Sequence, residues 1–246
     1  MNPKIFLIAK SQPNWGVISR WLEETRGFDF KPSTTHSTEA IVEYAGRVCY
    51  DSFRKPRPGG TPAYIRHLIE SGHGSVLEHI SYTFAISGIS RACSHELVRH
   101  RAGFAYSQRS QRYCDEGGAE FVFPDVDLPD DIQKLLNDHW EASKEAYGLI
   151  LAYLQEKSWE RKKAHSIARY VLPQAIGTEI IVTANARAWR HFVETRGSRH
   201  ADREIRLLAN KVLAELQRDS PDIFGDYVTE PLGDGTCEVT TEYRKV

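Results

Sequence analysis

Asp130 to Lys157, D-D-I-Q-K-L-L-N-D-H-W-E-A-S-K-E-A-Y-G-L-I-L-A-Y-L-Q-E-K, repeats apolar residues at helical spacing over most of its length. Ile132, Leu135, Leu136, Trp140, Tyr147, Ile150, Leu151 and Leu154 mark one face, which predicts one long amphipathic helix. Around it stand strands far apart in the chain. Lys4–Lys10 is a short apolar run suited to a buried strand, and Ser81–Ser87 turns Tyr82, Phe84 and Ile86 to one side. Thr178–Thr183 (T-E-I-I-V-T) is a third strand. Further helices are expected at Thr38–Tyr50, capped by Ser37 or Thr38, at Pro62–Gly72, and at Ser90–Arg101 with Cys93 and Leu97 inward. Three more follow: Trp159–Leu172 stopped by Pro173, Asn185–Thr195 broken at Gly197, and Ala201–Arg218 with Ile205, Leu208, Val212 and Leu216 inward. Arg54–Pro62, rich in Pro and Gly, reads as a loop. Separated strands mixed with long helices predict an α+β fold rather than a doubly wound alternation. No linker divides the chain, so one domain over residues 1–246 is expected, with Gly233–Val246 as a tail or edge strand.

Composition narrows the function. Thirty-two Lys and Arg balance 33 Asp and Glu among 246 residues, for a net charge of -1. A protein that wraps nucleic acid usually carries a basic excess, so that class is disfavoured, although a local cationic pocket is not. A hydrophobic share of 41% and a charged share of 26% fit an ordinary globular chain long enough to fold without staples. The four cysteines form no C-x-x-C pair and read as reduced thiols, with Cys49 and Cys93 in apolar, core-like surroundings. Met1-Asn2-Pro3-Lys4 shows no secretory leader pattern, and no apolar stretch is long enough to span a bilayer. A cytoplasmic protein without a membrane partner is expected.

Common motifs are absent. There is no phosphate loop, and Gly72-His73-Gly74 lacks both the third glycine and the preceding strand of a dinucleotide fingerprint. His95-Glu96 and His100 suggest a zincin, but the two histidines are spaced too widely to share one helical face, so no metal site is assigned.

Two arginine clusters stand out. Arg91–Tyr113 holds Arg91, Arg99, Arg101, Arg109 and Arg112. Asn185–Arg206 holds Arg187, Arg190, Arg196, Arg199, Arg203 and Arg206. Neither contains a lysine, and the guanidinium fork grips phosphate or carboxylate at two points where an ammonium acts as a point charge. Ser107, Gln108, Ser110 and Gln111 interleave the first cluster with groups able to read a heterocycle edge. Acidic neighbours also permit a solvated, ion-paired face in the second cluster, to which Arg199, Arg203 and Arg206 are assigned. A polynucleotide-binding module using the same arginines is the rival class.

Arg99-His100-Arg101, a short spacer, then Ser110-Gln111-Arg112-Tyr113 resembles the motif of the flavin-dependent thymidylate synthases, the ThyX family. Three further segments are similar in the family's order: His73–His79, Ala168–Pro173 and Asn185–His200. The resemblance implies a ThyX-like α+β fold with a mixed or antiparallel sheet and long helices. It also implies reductive methylation of dUMP to dTMP with methylenetetrahydrofolate and NADPH through bound FAD, in a homotetramer.

Position by position, the resemblance places Ser75, Arg99, His100, Arg101, Asn185, Arg187 and His191 at FAD. It places Glu96, Leu97, Arg99, Gln108, Arg109, Ser110, Gln111, Arg112 and Arg169 at dUMP, and Arg196 as the catalytic residue that polarises the uracil ring. Guanidinium groups from distant segments are expected to converge on one cavity that takes up two phosphorylated ligands side by side. Ser110 lacks a neighbouring base and reads as a hydrogen-bonding residue, not a nucleophile. The spacer Ala102–Arg109 is one residue longer than the family usually has, and Gly103 offers the freedom to absorb the extra residue.

Overall fold

The computed structural model describes residues 3–123 and 126–246. Its elements run β1 (Lys4–Lys10), α1 (Trp15–Arg26), α2 (Ser37–Cys49), α3 (Gly60–Glu70), β2 (Ser81–Ser90), α4 (Arg91–Leu97) and β3 (Phe104–Gln108). They continue with α5 (Asp130–Glu156), α6 (Arg161–Ala168), β4 (Gly177–Asn185), α7 (Ala186–Arg196), α8 (Arg203–Asp219), α9 (Pro221–Phe224), β5 (Val228–Pro231) and β6 (Cys237–Thr240). Gly74–His79 and Arg169–Val171 are 3-10 turns. One sheet has the strand order β1-β2-β4-β3, and β5 pairs antiparallel with β6. The expected α+β mixture is present.

Two compact units divide the chain. The first gathers Lys4, Ala85–Arg99 and Tyr106–Ile181; the second gathers Ile5–Phe84, His100–Ala105 and Val182–Val246.

In the first unit, α5 packs Tyr147, Leu151 and Leu154 against Ala164 and Ala168 of α6. α5 has 27 residues and α6 only 8, so the partner covers the C-terminal half of the longer helix. Ile132 and Leu135, expected on the inner face, are instead 41% and 63% exposed. The helix expected to run to Leu172 stops at Ala168, because Leu172 before Pro173 is driven to extended backbone (ψ 132°) and the intervening turn tightens. Helix α4 is likewise shorter than expected. Ser90 caps it by accepting the Cys93 N–H at 3.0 Å, and the helix ends at Leu97.

In the second unit, Trp189 packs edge-on against Phe84 (5.2 Å) and Phe104 (5.1 Å). The inward residues predicted for α8, Ile205, Leu208, Val212 and Leu216, are all fully buried. A second cluster joins Leu22 of α1 to Tyr44 and Phe53, with Trp21, Phe28 and Phe30 against it. Helix α2 has His36 at its cap without a side-chain cap bond; Thr38 is buried and bonded to Ser220 Oγ at 2.7 Å. Helix α3 starts inside the expected loop, at Gly60. β1 is an edge strand with Phe6 and Ile8 more than half exposed, not the buried strand expected, and Cys49 is exposed while Cys93 is buried. Among the described residues, no helix is long and apolar enough to cross a membrane, and no group of three or more His, Cys, Asp or Glu is placed to hold a metal.

Candidate functional site

The first unit contains a cavity of about 400 Å³ whose lining includes Arg91, His95, Gln108, Gln111, Arg169 and Tyr170. Arg91 and His95 lie one turn apart on α4, which aims both at the same space. Gln108 ends β3, and its amide nitrogen donates to Ser94 Oγ (2.8 Å) and Thr178 Oγ1 (3.3 Å), so its orientation is fixed. Among the described residues, no carboxylate lines this cavity. Burial holds the Arg91 guanidinium below its ordinary pKa; Glu116 opposes that shift and the Arg169 charge adds to it. Two like charges therefore face one hollow, and a bound anion would relieve their repulsion.

Arg109 takes a different direction. It follows the last residue of β3, its N–H donating to the Glu179 carbonyl at 2.9 Å, and lines a different cavity from Gln108. It lies 3.5 Å from Glu116 and donates to the Asp115 carbonyl at 3.1 Å, on a second cavity of about 530 Å³ with Glu120 and Glu179 in its wall. Burial raises the Glu116 carboxyl above the usual range, and Arg109 opposes that shift.

The other residues expected at dUMP stand outside the arginine-lined hollow. Arg112 donates to Ser166 Oγ at 3.2 Å, and Ser110 Oγ accepts the Arg112 backbone N–H at 3.4 Å. Leu97 is fully buried, so its side chain packs in the core, and its carbonyl accepts the Tyr106 hydroxyl at 3.0 Å. Glu96 lies in α4's last turn and Arg99 just beyond it, where the Arg99 N–H reaches the Glu96 carbonyl at 3.3 Å. Arg91 belongs to the first arginine cluster without an assigned ligand, and His95 and Tyr170 are not among the expected site residues; the helical spacing of Arg91 and His95 is the available signal.

In the second unit, α7 organises the residues expected at FAD. Asn185 caps the helix by accepting the Ala188 N–H at 2.8 Å, and its own N–H donates to the Gly103 carbonyl at 3.3 Å. Gly103 has φ 76°, and a Cβ there would come within 3.0 Å of the Ala188 methyl, so the chain passes α7 at a point suited to glycine. Arg187 pairs with Glu78 at 2.6 Å, next to the turn that carries Gly74 and Ser75. Arg196 donates its Nε–H to His100 Nε2 at 3.0 Å, and the His100 ring meets His191 (5.8 Å) and Phe192 (5.3 Å) edge-on. Arg101 is exposed in the segment just before Gly103.

Other arginines of the second cluster are structural. Arg190 is fully buried and forks onto Asp226 at 2.6 and 2.8 Å. Arg206, expected on a solvated face, is buried, paired with Asp234, and bonded to Thr236 Oγ1 at 2.6 Å. Its carboxylate partner is Asp234, far along the chain, not Asp202, and its Nη1 donates to the Arg199 and Ala201 carbonyls at 2.8 Å each. Arg199 fits the surface reading, exposed and paired with Glu238.

The profile of the Thy1 family, Thymidylate synthase complementing protein, matches residues 33–222. The chain belongs to the Thy1 family. Among Thy1 relatives, the flavin-dependent thymidylate synthase of Mycobacterium sp. (strain JLS) is 47% identical over 216 residues, covering 82% of this chain and 85% of that protein. Its counterpart from Mycolicibacterium gilvum (strain PYR-GCK) is 45% identical over 229 residues, covering 87% and 91%. The crystal structure of Thymidylate Synthase X (ThyX) from Helicobacter pylori, with FAD and dUMP, has the same fold. It superposes with a TM-score of 0.61 over 92% of this chain and 98% of that one, at 21% identity. The family resemblance expected from the motifs is borne out.

Proposed function

We propose that this Thy1 chain is a flavin-dependent thymidylate synthase, acting as one synthase domain over residues 1–246. It methylates dUMP reductively to dTMP, with methylenetetrahydrofolate as carbon donor, NADPH as reductant and FAD as cofactor. The cavity of Arg91 and Arg169 carries this reading, since paired guanidiniums without a lining carboxylate suit a nucleotide phosphate. Each well-aligned charge-assisted contact there contributes about 1.5–3 kcal/mol. Gln108 and Gln111 supply amide groups for the pyrimidine edge, and Ser110 and Arg112 stand on the adjoining turn. Arg109, Glu96, Leu97 and Arg99 belong to the same proposed substrate segment, with Leu97 supporting it from the core.

The residues of the second unit fit FAD by their chemistry. No acidic side chain occupies the first turn of α7, Arg187 lies there, and a helix N-terminus with a cation suits a pyrophosphate. Ser75, His100, Arg101, Asn185 and His191 complete the proposed flavin set, to which Arg99 also belongs. When bound, FAD supplies hydride transfer, and the protein orients the reacting partners. Arg196 stabilises the negative charge that grows on the uracil ring, and the acceptor on His100 fixes its guanidinium. Family membership further supports a cytoplasmic homotetramer whose active sites draw on more than one subunit, and the charge balance supports a protein with no nucleic-acid partner.

The test is product formation. Purified protein supplied with FAD, NADPH, methylenetetrahydrofolate and dUMP should form dTMP, with NADPH oxidation that depends on dUMP. Flavin binding without any dTMP would overturn the assignment.

A further inference from the structure

The segment from Gly233 onward lies against the helix that carries the proposed flavin and uracil contacts. The backbone N–H of Val239 in β6 donates to the Gly197 carbonyl at 2.8 Å, one residue beyond Arg196. Val239 is buried, and a Cβ on Gly197 would lie 2.7 Å from Val239 Cβ, so the strand sits directly on the end of α7. β6 is itself anchored to α8: Asn210 donates to the Cys237 carbonyl (2.9 Å) and accepts the Cys237 N–H (2.7 Å). Arg206 holds the preceding turn through Thr236 and Asp234.

The residues after β6 follow α7 toward its other end. Arg190 donates to the Tyr243 carbonyl at 3.3 Å, and Glu194 accepts the Lys245 N–H at 3.2 Å. Val246 is buried against Gly74, where the added Cβ would collide with its backbone and would lie 3.0 Å from Arg187 Nε. The segment thus touches both ends of α7, at Gly197 next to Arg196 and at Gly74 beside Arg187. These contacts enter the proposed site only through other residues.

We propose that residues Thr236–Val246 form a positioning brace, in which Val239 fixes Arg196 through Gly197 and Val246 fixes the Gly74–Ser75 turn beside Arg187. This inference rests on the flavin-enzyme reading above. Misplacing a catalytic group by about an ångström can cost on the order of a hundredfold in rate. Shortening Val239 therefore alters turnover beyond any loss of stability.

Three variants test the brace: Val239→Ala, Val212→Ala as a control in the buried face of α8, and deletion of Thr241–Val246. The readouts are melting temperature, FAD affinity, and kcat and KM for dUMP. Val239→Ala is expected to lower kcat about tenfold or more with FAD affinity unchanged, whereas Val212→Ala lowers melting temperature and leaves kcat near wild type. The deletion is expected to weaken FAD several-fold while kcat at saturating FAD is retained; should the shortened chain fail to fold, Val239→Ala against Val212→Ala decides alone. Equal kcat in those two variants, or loss of kcat, FAD binding and melting temperature in parallel, overturns the brace. A wild-type protein that makes no dTMP fails the enzyme reading instead.

Discussion

Glu39 is fully buried, accepting the Asp222 N–H at 2.9 Å and the Thr34 hydroxyl at 2.8 Å. Burial pushes its carboxyl up from 4.5 to about 7, and the hydrogen bonds oppose that rise. Below pH 4.5 the group is protonated whether the chain is folded or not. Between there and pH 7 the unfolded chain releases the proton that the fold retains, so stability falls as pH rises through this window. The expected loss is on the order of 3 kcal/mol, read as a drop in melting temperature from pH 5 to pH 8 that Glu39→Gln flattens. An unchanged slope in that variant would remove Glu39 as the cause. His100 presents a different single-residue case, because accepting the Arg196 Nε–H requires an unprotonated Nε2. His100→Gln can keep an acceptor and should retain turnover, whereas His100→Phe keeps the ring packing and should lose about tenfold or more in kcat. Equal rates for the two would show that packing alone matters. Arginine roles were only partly legible in the sequence. Arg190 and Arg206 look like Arg169 in a string of letters, and only the distant carboxylates Asp226 and Asp234 make the first two structural.

Elements were most legible where packing writes a long apolar stripe. Helices α5, α7 and α8 lie close to where their periodicity places them, while α6 lost its last turn to Pro173. The error along α5 came from length, since periodicity reports an apolar face and not the extent of the helix that covers it. Helix α1 and strand β3 carry no comparable stripe. α1 turns only Leu22 fully inward, and β3 is five residues set behind the left-handed bend at Gly103. The cost of missing β3 falls on the site. At the end of this strand Gln108 and Arg109 line different cavities, which a contiguous polar motif cannot reveal.

At the scale of the whole molecule, four short motifs in a family's order specified the α+β fold and the Thy1 membership more strongly than composition did. Net charge near zero conceals a chain in which some guanidiniums are neutralised in the core and others face a cavity without a carboxylate. That distinction arises only on folding, because the partners that neutralise Arg190 and Arg206 lie far along the chain. The central claim is that the Arg91–Arg169 cavity takes up the nucleotide phosphate. Calorimetric titration of dUMP into the protein and its Arg169→Ala variant tests it most directly: affinity should fall about ten- to a hundredfold on losing one charge-assisted contact, and equal affinity in the two proteins would contradict it.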